Sequence, residues 1–76
     1  MNEVFVGIDV SKSRLDVAIR PTGEVLSVDN SADGISELLR VLKEQPPALV
    51  VLEATGGMQM PLVAEMARAS FPAVVM

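Results

Sequence analysis

The chain contains no histidine and no cysteine, so the residues left to do chemistry are few. Zinc held by thiolate or imidazole, a cysteine nucleophile and a histidine base are all excluded at once. Ser11 and Ser13 are candidate nucleophiles, but each would need a base, and Lys12 is adjacent in sequence rather than facing either one. Carboxylates remain, and two of them share a setting. Asp9 follows the apolar run Val4-Phe5-Val6-Gly7-Ile8, and Glu53 follows Leu49-Val50-Val51-Leu52 and precedes Ala54-Thr55-Gly56-Gly57. If both runs are strands, parallel and side by side, Asp9 and Glu53 meet at the carboxyl edge of a sheet, where open α/β folds keep their ligands. Carboxylates there would suit a hard cation, Mg2+ or Mn2+.

The elements that must position these acids are legible in order. Val4 to Ile8 is apolar at successive positions, the pattern of a central strand buried from both sides, and Gly7 within it suggests close backbone approach. Leu15, Val17 and Ile19 alternate with Asp16, Ala18 and Arg20, a half-buried strand antiparallel to the first. Pro21-Thr22-Gly23 predicts a hairpin turn into a third strand over 24–29. Asn30, Ser31 and Asp33 offer N-caps for an amphipathic helix whose stripe is Ile35, Leu38, Leu39 and Leu42, and Pro46-Pro47 ends it. Ala48 to Leu52 is the fourth strand, able to run parallel to the first because a helix precedes it. After Thr55-Gly56-Gly57 comes a second helix with Pro61 in its first turn and Met58, Leu62, Met66 and Ala69 on one side. Met58, Met60 and Met66 read as helix core or packing, and Asp16, Asp29 and Asp33 as surface or cap acids. Ser70-Phe71-Pro72 ends that helix, and Ala73 to Met76 begins a fifth strand parallel to the fourth. The order β-β-β-α-β-α-β makes one α/β unit with a mixed sheet.

Composition narrows the possibilities. The 76 residues are half apolar and carry a net charge of −4, so a core is affordable but a basic footprint for nucleic acid is absent. Any nucleic acid must be attracted by other surfaces. The apolar runs fall far short of the ~20 residues of a membrane span, and no signal peptide opens the chain, so a cytoplasmic protein without membrane contact is expected. Phe5 and Phe71 are the sole aromatics, too few for a base-stacking platform.

Three antiparallel strands, a helix, then parallel strands and helices, with acids ending strands one and four, resembles the ribonuclease-H-like nucleases. Val6-Gly7-Ile8-Asp9-Val10-Ser11-Lys12 with Leu15-Asp16-Val17-Ala18, together with Leu52-Glu53-Ala54-Thr55-Gly56-Gly57, narrows this to the amino-terminal RuvC-like domain of the DEDD-type insertion-sequence transposases. The resemblance covers nearly the whole chain. It implies that residues 1–76 are the amino-terminal portion of a RuvC-like catalytic domain, truncated in the fifth strand. It also implies that Asp9 and Glu53 are catalytic metal ligands for Mg2+ or Mn2+ in DNA cleavage and rejoining during transposition. The other acids and a serine nucleophile would lie beyond Met76, so the segment alone should be inactive. DNA, a guide RNA from the mobile element and further copies of the protein are the implied partners. Two positions depart from the family's pattern: Met58, where an aromatic residue is usual, and Ser70, where glycine is common.

Other readings stay open beside it. Asp9 and Glu53 would also be explained as acids that end strands in solvent. Thr55-Gly56-Gly57 at a helix start would present N–H groups to a phosphate, although capping and tight packing is the favoured reading because no lysine follows. The polar stretch Ser11 to Arg14 is either a nucleic-acid contact or a solvated loop. At the level of the whole chain, the alternatives are an actin-like or sugar-kinase-type ATPase fragment, and a non-catalytic assembly module that pairs through its fifth strand.

Overall fold

A computed structural model of the chain describes residues 3–54 and 56–76. Its elements are β1 (Phe5–Val10), β2 (Arg14–Arg20), β3 (Glu24–Asp29), α1 (Ala32–Glu44), β4 (Leu49–Ala54), α2 (Met60–Arg68) and β5 (Ala73–Val75). They form an α/β unit around one mixed five-stranded sheet of order β3-β2-β1-β4-β5. The β1–β2 and β2–β3 pairs are antiparallel, and β1–β4 and β4–β5 are parallel.

The alternation of side chains in each strand sorts the sheet into two unlike faces. Val6, Ile8 and Val10 of β1 stand opposite Ile19, Val17 and Leu15 of β2, and Val6 and Ile8 stand beside Val50 and Leu52 of β4. All are buried, in one cluster with Ile35, Leu38, Leu39 and Leu42 of α1 and Leu62 and Met66 of α2. Both helices therefore cover the same face. The expectation that β1 is buried from both sides is corrected by this arrangement: its burial alternates strictly, and Phe5 on the other face is 46% exposed. Gly7 lies on that open face as well, where a methyl group would meet nothing within 4 Å, so it permits no close approach.

Helix boundaries follow local chemistry. Ser31, among the candidate caps, is the one in use: its Oγ accepts from the Gly34 N–H at 3.1 Å. Asp33 then sits in the first turn and Lys43 in the last, each at the end the helix dipole favours. Gly34 is buried against the end of β3, and a Cβ there would collide with the Asp29 backbone. At the far end of α2, Ser70 adopts φ 62°, with its N–H on the Ala67 carbonyl at 3.1 Å and the Phe71 N–H on the Met66 carbonyl at 2.9 Å. These are the paired bonds of a Schellman ending, and Phe71 packs against the core. The expectations of Met58 on the helix side and of Met60 as helix core or packing need correction. Met58 precedes the helix, and Met60 at its start is 63% exposed, because the stripe that meets the sheet is Leu62 and Met66.

Candidate acidic site at the carboxyl edge of the sheet

Ile8 and Val10 must face the helices, so Asp9 between them is forced onto the open face. Leu52 does the same for Glu53 in β4. Each acid is the fifth residue of a six-residue strand rather than its terminus, a small correction to the expected boundaries. The parallel register pairs Asp9 with Glu53 directly, and neighbouring strands lie about 4.8 Å apart. Two exposed carboxylates thus stand side by side at the carboxyl ends of adjacent parallel strands.

On the other side of Asp9 the antiparallel register brings Asp16, and beyond it Ser27. Asp16 is the surface acid that its place in the alternating pattern predicts, and it shares a row with the candidate pair. The signal was available in the hairpin: a turn centred on 12–13 pairs residue 9 with residue 16. Its role differs from that of its neighbours because it already has a partner. Ser27 donates its hydroxyl to Asp16 Oδ1 at 2.8 Å, and Arg14 Nη2 donates to Ser27 Oγ at 2.8 Å. Arg14 Nη1 also pairs with Asp29 Oδ1 at 2.9 Å, so Asp29 has a partner of its own. Among the described residues no side-chain hydrogen bond or ion pair reaches the carboxylate of Asp9 or Glu53. No set of three acids among the described residues is placed to surround one ion, so the arrangement offers a pair of ligands and leaves the remaining coordination positions of a cation to water or other groups.

Three turns frame this edge. The β1–β2 turn closes on itself: the Ser11 N–H and Oγ both donate to the Arg14 carbonyl, at 3.0 and 3.1 Å, and Ser11 Oγ accepts from the Arg14 N–H at 3.2 Å. Lys12 and Ser13 at its tip are exposed. The turn after β4 carries Gly56 and Gly57 at φ 66° and 75°, a conformation that side chains resist. It is followed by Met58 and Gln59 before α2 starts at Met60. The glycine pair is therefore a separate turn and not the first turn of the helix, which corrects both the capping and the phosphate-at-helix-start readings; Thr55 lies outside the described residues. The third turn, between β3 and α1, contributes Asn30, which sequence reading treated only as a possible cap. Its side-chain Nδ2 donates to the Ser11 carbonyl at 2.8 Å and to the Met58 carbonyl at 3.3 Å.

A concavity lies elsewhere, between α1 and α2, lined by Glu37, Arg40, Lys43, Pro61 and Glu65 among others. Neither Asp9 nor Glu53 borders it, and its charges are of mixed sign, so it gathers no ligand-specific chemistry. No helix among the described residues is long and apolar enough to cross a membrane. The sequence matches no model of a known protein family and no curated protein.

Proposed function

We propose that this chain is the amino-terminal part of a ribonuclease-H-like, RuvC-like catalytic domain of a DEDD-type insertion-sequence transposase, and that Asp9 and Glu53 are its first two metal ligands. The observation that carries the reading is the register of Asp9 beside Glu53, both exposed and with carboxylates unpartnered among the described residues, at the carboxyl ends of parallel strands. The element order and the mixed sheet support it.

The donor set fits the group. Two carboxylates with no competing cation suit Mg2+ or Mn2+ and leave coordination positions open for water and phosphate oxygens. Bound at such a site, a pair of ions stabilises the attacking and leaving oxygens of an in-line displacement at phosphorus. In this reading Asp9, on the central strand between Asp16 and Glu53, and Glu53 beside it would hold the metal. Ser27, itself held by Arg14 Nη2, engages one oxygen of the Asp16 carboxylate and so sets Asp16 apart from that task. The remaining acids, the serine nucleophile and the surfaces that attract DNA and a guide RNA belong to sequence beyond Met76, in keeping with the net charge of −4. A cytoplasmic location belongs to the same proposal.

The test is Mn2+ titration of the 15N-labelled chain. Paramagnetic broadening should begin at Asp9 and Glu53 and vanish in both Asp9→Asn and Glu53→Gln. With Mg2+ and DNA the chain alone should leave the DNA uncut; cleavage that Asp9→Asn abolishes would contradict the division of the site. Tight Mg-ATP binding would favour the actin-like ATPase instead.

Assembly with further copies has its own support. The β5 edge presents Val74 and Val75, each 46% exposed, with no charge, proline or bulge within Ala73–Val75 to discourage pairing.

A further inference from the structure

Asn30 is half-buried immediately after β3, and its backbone N–H continues the β2–β3 ladder by donating to the Ser13 carbonyl at 2.9 Å. That bond fixes the backbone and leaves the side-chain amide, with two N–H groups, free to reach elsewhere. One reaches Ser11, which directly follows the strand that carries Asp9. The other reaches Met58, in the turn that follows the strand carrying Glu53. The two acceptors are 47 positions apart in sequence, as their numbers show, and a single side chain ties them.

The two turns differ in how well they hold themselves. Residues 11–14 are locked by the three short contacts of Ser11 with Arg14. The Gly56-Gly57 turn has two residues of high backbone freedom and, among the described residues, a single internal bond, Met60 N–H to the Gly57 carbonyl at 3.2 Å. Among the described residues, the Asn30 amide is the sole hydrogen bond that reaches the 56–59 turn from outside its own segment. Strand ends fray, and Asp9 and Glu53 are one residue from theirs. A staple between the loops that leave those strands therefore restrains the acid pair at the point where it is least restrained by the sheet.

We infer that Asn30 is a positioning residue for the acid pair: by donating to Ser11 and Met58 it couples the loops leaving β1 and β4 and holds Asp9 and Glu53 in the mutual placement that a shared cation requires. The inference rests on the reading of that pair as a cation site. Groups that orient metal ligands from behind typically change metal affinity 10- to 100-fold when removed. At an exposed pair already in sheet register the lower end, about tenfold, is expected.

The experiment uses the 76-residue chain, 15N-labelled, as wild type, Asn30→Ala and Asn30→Asp. In the wild type the Asn30 side-chain amide protons should be protected from exchange with water; free exchange would overturn the staple whatever the variants do. Asn30→Ala should speed amide exchange at Ser11 and Met60 together by at least about tenfold, leave Ile8 and Leu52 unchanged, and weaken Mn2+ broadening about tenfold. Asn30→Asp keeps the size but presents oxygens to two carbonyls, so it should loosen both turns as alanine does. An effect on one turn alone, full protection in Asn30→Asp, or unchanged Mn2+ affinity in a loosened variant would refute the inference. Absence of Mn2+ broadening in the wild type is a separate failure, which removes the cation reading and the positioning role with it.

Discussion

Replacing Gly34 by alanine sets two effects of opposite sign against each other, and the structure decides between them. Gly34 is the third residue of α1, and helix propensity alone favours alanine there by about 1 kcal/mol. Gly34 is also buried against the end of β3. A methyl group on it would fall on the Asp29 carbonyl oxygen and stand 2.8 Å from the Asp29 carbonyl carbon and 2.9 Å from its nitrogen. Carbon atoms in contact sit about 3.5–4.0 Å apart, so α1 would have to withdraw by roughly 1 Å. The obstacle is backbone, held in the ladder by the pairing of Asp29 with Arg14, and no rotamer can relieve it. Overpacking of this kind costs about 1–3 kcal/mol, and an immobile neighbour argues for the upper end. The net expectation is a loss of about 2 kcal/mol, which for a domain of this size lowers Tm by roughly 8–16 °C. Urea denaturation followed by circular dichroism should show a lower midpoint with an unchanged slope. A variant as stable as the wild type, or more so, would mean that propensity prevails and that the close approach of α1 to β3 is wrong.

Ser70→Gly should act in the other direction. Ser70 holds φ 62°, where an L-residue is disfavoured by about 1–2 kcal/mol, while glycine adds unfolded-state entropy worth roughly 0.4–1 kcal/mol. A gain of about 0.5–1 kcal/mol in thermal or urea unfolding is expected, and destabilisation would contradict the Schellman ending. Asp16→Asn should leave Mn2+ affinity within about twofold, because Asp16 is engaged by Ser27 and lies outside the pair; a loss as large as that in Asp9→Asn would make Asp16 a third ligand. Sedimentation equilibrium should detect concentration-dependent self-association, and Val74→Lys should suppress it by placing a charge on the β5 edge. A monomer at every concentration would dismiss pairing through β5.

The sheet was legible because its strands obey a period of two and its turns use residues suited to them. Leu15, Val17 and Ile19 are all buried as their alternation predicts, and Gly23 turns the hairpin at φ 82°. The stripe Ile35, Leu38, Leu39 and Leu42 meets the core as its spacing demands. What failed were features set by the third dimension. Phe5 and Gly7 made β1 look apolar on both sides, yet which faces of a sheet are covered depends on where the crossover helices lie. Met58 matched a helical spacing that begins only after the Gly56-Gly57 turn has ended, and Met60 opens the helix on its exposed side. Gly34 carried a readable signal, an isolated glycine inside a helical pattern, but its contact with Asp29 belongs to tertiary packing. Asn30 looked like one cap among several, because the carbonyls it binds come from turns distant in sequence. The acids themselves were legible by type and setting, and their adjacency followed once the strands were taken as parallel neighbours.

Whether Asp9 and Glu53 form half of a metal site is decided by anomalous scattering from a crystal soaked in Mn2+. An ion within about 2.0–2.4 Å of either carboxylate, with the two carboxylates roughly 5 Å apart, is the predicted result. Carboxylates more than about 10 Å apart and turned away from each other could not serve one two-metal cluster, and that result would leave the chain a scaffold or an assembly module.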